Sequence, residues 1–137
     1  SKAENVMEHD LVRSLISTLP LQPKVTLASI ILNRGSKENG QQTTGEVYNT
    51  YSLICKRFKV EQLTQRRVGH IISELDMQGL INAKVVSLGR QGRTRYISIA
   101  IEQSQIDGAL DNDSFLSRVI KEIKMSGYLS SMQLRLI

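Results

Sequence analysis

The sequence predicts a mainly helical α+β fold, in which three helices lead into a β-hairpin and a further helix flanks this unit at each end. Three observations predict it. Val68, Ile71, Ile72 and Leu75 recur at the i, i+3, i+4, i+7 spacing of one helical stripe. Beyond Gly79 the period shortens to two, with Ile97, Ile99 and Ile101 on one side of a strand-like run. Gly89-Arg90-Gln91-Gly92-Arg93 divides the two β-like runs, and its glycines supply the positive φ that a hairpin turn needs.

Composition narrows what such a fold does. A chain of 137 residues suits one domain with a modest core, and 40% apolar against 4% aromatic residues makes that core aliphatic. The net charge of +5 and pI near 9.6 favour a polyanionic partner. The charge is uneven: six Lys/Arg lie between Thr64 and Arg95 (Arg66, Arg67, Lys84, Arg90, Arg93, Arg95), whereas Asp107 to Asp113 holds three acids and no base. Cys55 is single, so no internal disulfide forms; it reads as a small buried hydrophobe that suits a reducing compartment. No run reaches the length of a membrane span, and the first residues, S-K-A-E-N, lack the apolar segment of a signal peptide.

The leading helix spans about Glu4 to Thr18, with Val6, Leu11, Leu15 and Ile16 on one face and Pro20 barring continuation. It belongs either to this core or to the end of a preceding domain. A second helix starts near Gln22, tolerating Pro23 in its first turn, and carries Leu21, Val25, Ala28 and Leu32 as its stripe, widened by Leu27 and Ile31. Asn33-Arg34-Gly35 ends it. The following G-S-K-E-N-G-Q-Q-T reads as a flexible loop; Gln41 and Gln42 stand where a phosphate loop requires Lys and Ser/Thr, which excludes a nucleotide site there. Thr43 and Glu46 form a T-x-x-E capping box that opens a third helix to about Lys59, with Val47, Tyr51, Ile54, Cys55 and Phe58 inward.

A short link, Val60 to Leu63, leads to a helix capped by Thr64, with Leu63 and Val68 at the spacing of a hydrophobic staple. At about 100° per residue, the face opposite its apolar stripe carries Arg66, His70, Ser73 and Met77, flanked by Arg67 and Gly69. Gly79 stops the helix. Runs from Leu80 to Leu88 and from Thr94 to Ile101 make the hairpin, and its tip is basic. From Asp107 the chain turns acidic, and Asp113 caps a last helix over Ser114 to Ser126, with Phe115, Val119, Ile120 and Ile123 inward and Gly127 as its stop. A weak S-x-x-Q start signal at Ser130 leaves the end, Tyr128 to Ile137, either a short helix or disordered.

Two helices joined by about four residues, the second basic outside and followed by a basic hairpin, make a winged helix-turn-helix. In that architecture the helix after Thr64 enters the major groove and the hairpin, the wing, lies along the backbone or in the minor groove, where arginine meets concentrated negative potential. Arg66 is the candidate for a bidentate base contact. His70 and Ser73 are candidates for base edges or phosphates, and Thr64, Gln65 and Arg67 for phosphate at the helix start. Arg90, Gln91 and Arg93 are wing contacts, with Arg95 and Lys84 further down the ribbon. The plainer reading makes these residues solvated surface: Arg67 paired with Asp76 or Glu74, His70 an ordinary exposed imidazole, Arg90 and Arg93 keeping the hairpin soluble. A protein-docking winged helix and a winged-helix transcription regulator are the alternative functions. Catalysis is not expected: His9, His70 and Cys55 make no zinc cluster and no Cys/His pair, and His9 beside Asp10 is no triad.

T-G-E-V-Y-N-T-Y (44–51), L-T-Q-R-R-V (63–68), I-I-S-E-L-D-M-Q-G-L-I (71–81) and N-A-K-V-V-S-L-G-R-Q-G-R-T-R (82–95) together resemble a specific family. It is the C-terminal winged-helix domain of the archaeal replication initiators related to the origin recognition complex and the cell division control loader protein. T-L-P-L-Q-P-K (18–24) matches the segment preceding that domain, and the resemblance covers about residues 11 to 101. It implies binding of double-stranded DNA at replication origins, with the helix from Thr64 in the major groove and the wing in the minor groove. The replicative helicase or other initiator subunits are implied as further partners, and the location as cytoplasmic and nucleoid-associated. Full-length members carry an AAA+ ATPase, to which ATP and Mg²⁺ belong; neither nucleotide motif is in this sequence, so no cofactor is expected in this chain. Residues 1–19 are then expected as the end of an ATPase lid, 20–104 as the DNA-binding domain, and 105–137 as a C-terminal helix and tail.

Overall fold

The computed structural model describes the backbone of residues 2–35 and 40–127, and side chains from His9 onward within those ranges. Among the described residues the order is α1 (Lys2–Ser17), α2 (Leu21–Arg34), β1 (Gln42–Thr43), α3 (Thr44–Phe58), α4 (Gln65–Met77), β2 (Ile81–Ser87), β3 (Arg93–Ile99), α5 (Gln103–Asn112) and α6 (Ser114–Ser126). The result is a mainly helical winged helix, with α2, α3 and α4 as its three-helix core and β2–β3 as its wing. The side chain of Val6, loop residues 36–39, and the tail from Tyr128 with its start signal at Ser130 lie outside the described residues.

Local chemistry fixes the ends of the helices that matter most. The Thr43 hydroxyl accepts the Glu46 N–H at 3.2 Å while the Glu46 carboxylate accepts the Thr43 N–H at 3.0 Å, the reciprocal box that starts α3. α4 ends in a Schellman turn: Leu80 N–H reaches Leu75 C=O at 3.1 Å and Gly79 N–H reaches Asp76 C=O at 3.0 Å. That turn requires Gly79 at φ +81°, in the left-handed region where a side chain is strained. Its last residue, Leu80, accepts the Ala100 N–H at 3.1 Å, so the helix stop feeds directly into the base of the hairpin.

α2 lies at the centre and packs against α3, α4, α6 and β3. One apolar cluster joins Ile16, Leu27, Ile30, Tyr51, Ile54, Ile72, Leu75, Ile97, Leu116 and Ile123, so residues of α1 and α6 share the core of the central helices. Each such side chain contributes about 1.5–3 kcal/mol on burial. Leu15, Ile31, Phe58, Ile71 and Phe115 are half-buried against it, and two expected core residues are exposed instead. Leu11 and Leu21 are 67% and 49% exposed, because α1 turns Val12, Leu15 and Ile16 inward, and Leu21 opens the first turn of α2 before it enters the core.

Two elements differ from expectation. Gln42–Thr43, read as loop, pairs antiparallel with Ile97 and Tyr96 of β3, giving a three-stranded sheet in the order β1-β3-β2. Buried side chains hold it there: the Gln42 amide donates to Ile30 C=O at 3.0 Å and accepts from Asn33 Nδ2 at 2.9 Å. The acidic stretch from Asp107 is the second half of α5, which packs on α1 and buries Ile106 and Ala109. Its start is fixed by the Glu102 N–H donating to Gln105 Oε1 at 2.8 Å. Asp113 caps α6 and Gly127 ends it at φ +74°, as the sequence predicts.

Candidate nucleic-acid interface

α4 is held by the turn before it. Tyr51, with a fully buried side chain, accepts the Leu63 N–H on its hydroxyl at 2.9 Å and donates to Gln22 Oε1 at 2.5 Å. Tyr48 donates to Leu63 C=O at 2.8 Å, so one backbone unit is gripped from both sides by tyrosines of α3. Gln22 of α2 donates to Glu61 C=O at 2.7 Å, and Gln62 bonds the Tyr48 and Ser52 hydroxyls at 3.0 and 2.9 Å. A polar turn of this kind is ordinarily loose; here α2 and α3 satisfy its backbone groups and so fix where α4 begins. The phenol of Tyr51 is pushed up to about 12 by burial, opposed by the Leu63 N–H, so it stays a protonated donor. Burial also raises the nearby Cys55 thiol, which leaves it an inert core residue.

From that fixed start, α4 buries Val68, Ile72 and Leu75 and turns the opposite face to solvent. Thr64 caps it by accepting the Arg67 N–H at 3.3 Å. Gln65, Arg66, Arg67, His70 and Ser73 are all exposed, as is Met77 at the end of the same face. Gly69 is half-buried, on the side turned toward the wing.

The wing is a ribbon in full register, from Ile81 opposite Ile99 to Ser87 opposite Arg93. A single 3₁₀ turn, Gly89–Gln91, crosses its tip, closed by Leu88 N–H to Gly92 C=O at 2.7 Å, and Gly92 at φ +88° makes the return. Arg90, Gln91 and Arg93 are exposed there, and Lys84 is exposed on the strand leading up. Arg95 differs from them. It is half-buried, and its guanidinium crosses to α4, donating to Gly69 C=O at 3.0 Å and to the Ser73 hydroxyl at 2.7 Å.

The structure therefore brings the ten candidate residues onto two adjoining elements, α4 with its cap and the wing, and joins two of them to each other. Among the described residues Arg66, Arg67, Arg90 and Arg93 form no ion pair; the pairs found are Lys24–Asp113 and Glu122 with Arg57 and Arg118, all elsewhere. Arg67 pairs with neither Asp76 nor Glu74. Uncompensated guanidinium groups on a low-dielectric surface produce a positive field that attracts a polyanion. Sequence reasoning overlooked Gln22 and Tyr48, which seat the turn. The available signal was two tyrosines at i, i+3, out of four in the chain, just before a polar link. Among the described residues no group of His, Cys, Asp and Glu is arranged to hold a metal ion, and no helix is long and apolar enough to cross a membrane.

Known proteins resemble this chain in sequence and fold. A family model described as the CDC6 C-terminal winged-helix domain matches residues 14–109. The ORC1-type DNA replication protein of Pyrococcus horikoshii is 48% identical over 107 residues, covering 77% of this chain and 25% of that protein. ORC1-type DNA replication protein 1 of Methanosarcina mazei is 50% identical over 102 residues, covering 73% and 24% respectively. The chain thus spans about a quarter of the length of the curated relatives it matches. The Aeropyrum pernix ORC1 protein, solved in complex with DNA, superposes with a TM-score of 0.74 at 38% identity, over 86% of this chain and 30% of that one. Cdc6p of Pyrobaculum aerophilum, at TM-score 0.57 and 18% identity over 80% of this chain and 26% of that one, shares the fold.

Proposed function

Because the chain belongs to the family of CDC6 C-terminal winged-helix domains, we propose that it binds duplex DNA at replication origins, with α4 in the major groove and the wing in the adjacent minor groove. The observation that carries this reading is the pairing of two sets of arginines without acidic partners, Arg66 and Arg67 on α4 and Arg90 and Arg93 on the wing. They lie on two elements that pack against each other, α4 and the ribbon that follows it. The family gives the context: the relatives are replication proteins, and one was solved with DNA bound.

The roles follow from chemistry. Arg66 presents a planar fork that matches the O6 and N7 acceptors of guanine, and His70, one turn along, faces the same groove. Thr64, Gln65 and Arg67 sit at the helix N-terminus, where N–H groups and the positive end of the helix dipole favour phosphate. Arg90, Gln91 and Arg93 enter or line the minor groove. Ser73 and Arg95 lie between the two contact regions. ATP and Mg²⁺ enter only through the ATPase region of longer family members, and no catalysis is assigned to this chain.

The test is duplex binding by the whole chain, against an origin sequence and a scrambled one, over a range of salt. Arg66→Ala should cost roughly 1–3 kcal/mol on the origin duplex and flatten the preference at one base position. Arg93→Ala should weaken both duplexes alike and lower the salt slope by about one. If neither change alters duplex affinity, the reading is wrong; binding that barely responds to salt would point instead to a protein-docking module for helicase or initiator subunits. A dimer in solution would favour the transcription-regulator alternative.

A further inference from the structure

We propose that Arg95 and Ser73 form a brace that sets the angle between wing and α4, so that both contact elements meet DNA as one unit. The inference rests on the DNA-binding reading above and assigns these two residues a positioning role within it.

The need for a brace comes from how the ribbon leaves the core. At its base Ile81 and Ile97 are buried, and Ile99 is half-buried against the core. Along the same face of β2, Ala83 is half-buried, Val85 is 57% exposed and Ser87 is exposed, so apolar packing has run out by the middle of the strand. β1 supports β3 only at Tyr96 and Ile97. Above that level the wing is a bare two-stranded ribbon, which by itself is marginally stable in water and free to swing.

Arg95 sits at that level. It pairs with Val85 in the ribbon and shares the inward face of β3 with Ile97 and Ile99, so its side chain leaves the sheet toward α4. There one nitrogen donates to Gly69 C=O at 3.0 Å and another to Ser73 Oγ at 2.7 Å. The Ser73 hydroxyl in turn donates to Gly69 C=O at 3.3 Å, which closes a small network of three groups. Two bonds from one rigid guanidinium plane fix an angle as well as a distance. A Cβ added at Gly69 would lie 4.0 Å from the guanidinium, in ordinary contact, so the bond rests on the Gly69 carbonyl and not on the missing side chain. Arg95 is half-buried in this position while Arg90 and Arg93 stand exposed at the tip. Charge at the tip and donors at the mid-ribbon are separate functions carried by the same residue type.

The experiment uses the whole chain with Arg95→Ala and Ser73→Ala. The second change keeps every positive charge and removes one anchor. In the free protein, residual dipolar couplings of the amides from 84 to 94 report wing orientation relative to α4; both variants are expected to shift them while the rest of the chain keeps its values. With duplex DNA, Ser73→Ala is expected to weaken binding by roughly three- to tenfold, the scale of one lost hydrogen bond. The fold-loss caused by Arg93→Ala should be smaller in the Arg95→Ala background than in the unmodified chain, because an unbraced tip no longer reaches its groove reliably. Wing couplings unchanged in both variants, or an Arg93→Ala loss equal in both backgrounds, would overturn the brace; in the latter case Arg95→Ala lowering the salt slope by about one would mark it as a phosphate contact. Failure of the unmodified chain to bind duplex would overturn the DNA reading instead, and the couplings would still decide the brace.

Discussion

Tyr51 and Leu63 are joined by a bond between a buried phenol and a turn backbone: the hydroxyl accepts the Leu63 N–H at 2.9 Å and donates its own O–H to Gln22 Oε1 at 2.5 Å. Through it α2, α3 and the start of α4 share one point of attachment. Tyr51→Phe keeps the ring and removes the attachment, leaving the Leu63 N–H without its partner. The expected cost is about 1–3 kcal/mol, read as a lower urea midpoint with an unchanged slope.

The same residue contributes to the alkaline limb. Its phenol is held up to about 12 by burial, against about 10 in an unfolded chain. Between those values the unfolded chain gives up the proton and the folded one keeps it, so stability must fall as pH rises through that window. In Tyr51→Phe this part of the fall should vanish. Urea midpoints compared at about pH 9 and pH 11 measure it, and identical slopes in both proteins would contradict the assignment.

On the acid side the controlling pair is Lys24 and Asp113, 2.6 Å apart and nearly buried. Burial alone would raise the Asp113 carboxyl, but Lys24 and the Leu116 N–H at 3.0 Å outweigh it and hold it below the usual range. Lys24 also reaches Ser17 C=O at 3.4 Å, so the pair ties α1, α2 and the cap of α6 together. A depressed folded value means the stabilisation is present above the ordinary carboxylate range and is lost as pH falls through the depressed value. Asp113→Ala should cost roughly 3–5 kcal/mol at neutral pH, since it strands Lys24. Asp113→Asn should be less stable than the parent at neutral pH and flatter on acidification, as thermal melts against pH would show.

These two junctions also show what a sequence can and cannot convey. Thr64, the stripe from Val68 to Leu75, Gly79 and the alternating isoleucines of β3 are local patterns, so helix, stop and wing were legible and the exposed face of α4 followed from periodicity. β1 was not legible, because two polar residues become a strand only when Ile97 and Tyr96 offer them an edge. α5 was missed for a different reason. Its apolar face is thin, and Asp107 and Asp111 drew attention as an acidic break, although the Glu102-x-x-Gln105 start signal was there to read. At the candidate site, residue types were legible and their pairing was not. Nothing in the sequence says that Arg95 spends its donors on Gly69 and Ser73, which lie 26 and 22 positions away.

The edge pairing of β1 depends on a buried polar cluster, and that makes a separate prediction. The Gln42 amide bridges Ile30 C=O and Asn33, and Thr50 donates to Asn33 Oδ1 at 2.6 Å. Gln42→Leu removes the two buried hydrogen bonds that the amide makes to Ile30 C=O and Asn33, at about 0.5–1.5 kcal/mol for each. Amide hydrogen exchange should quicken at Thr43 and at Tyr96 and Ile97, where β1 pairs with β3, while α6 keeps its protection. Uniform quickening across the chain would mean that the cluster supports global stability and not this edge.

Gly69 offers the opposite sign. It lies in the interior of α4 at an ordinary helical φ, where glycine costs roughly 0.5–1 kcal/mol relative to alanine through the freedom it loses on folding. An added Cβ meets only Arg95 Nη1 at 4.0 Å, ordinary van der Waals contact, so the methyl group fits without moving the guanidinium. Gly69→Ala should therefore raise the melting temperature by roughly 2–5 °C. Gly69→Leu, with further carbons directed at the same guanidinium, should instead displace Arg95 and forfeit its bond to the Gly69 carbonyl. The two variants differ only in how far the side chain extends toward the wing. A rise for alanine and a fall for leucine, measured by thermal unfolding, would show that the space between α4 and β3 is sized for one methyl group. A fall for both would mean that the backbone at Gly69 needs a freedom that its helical geometry does not reveal.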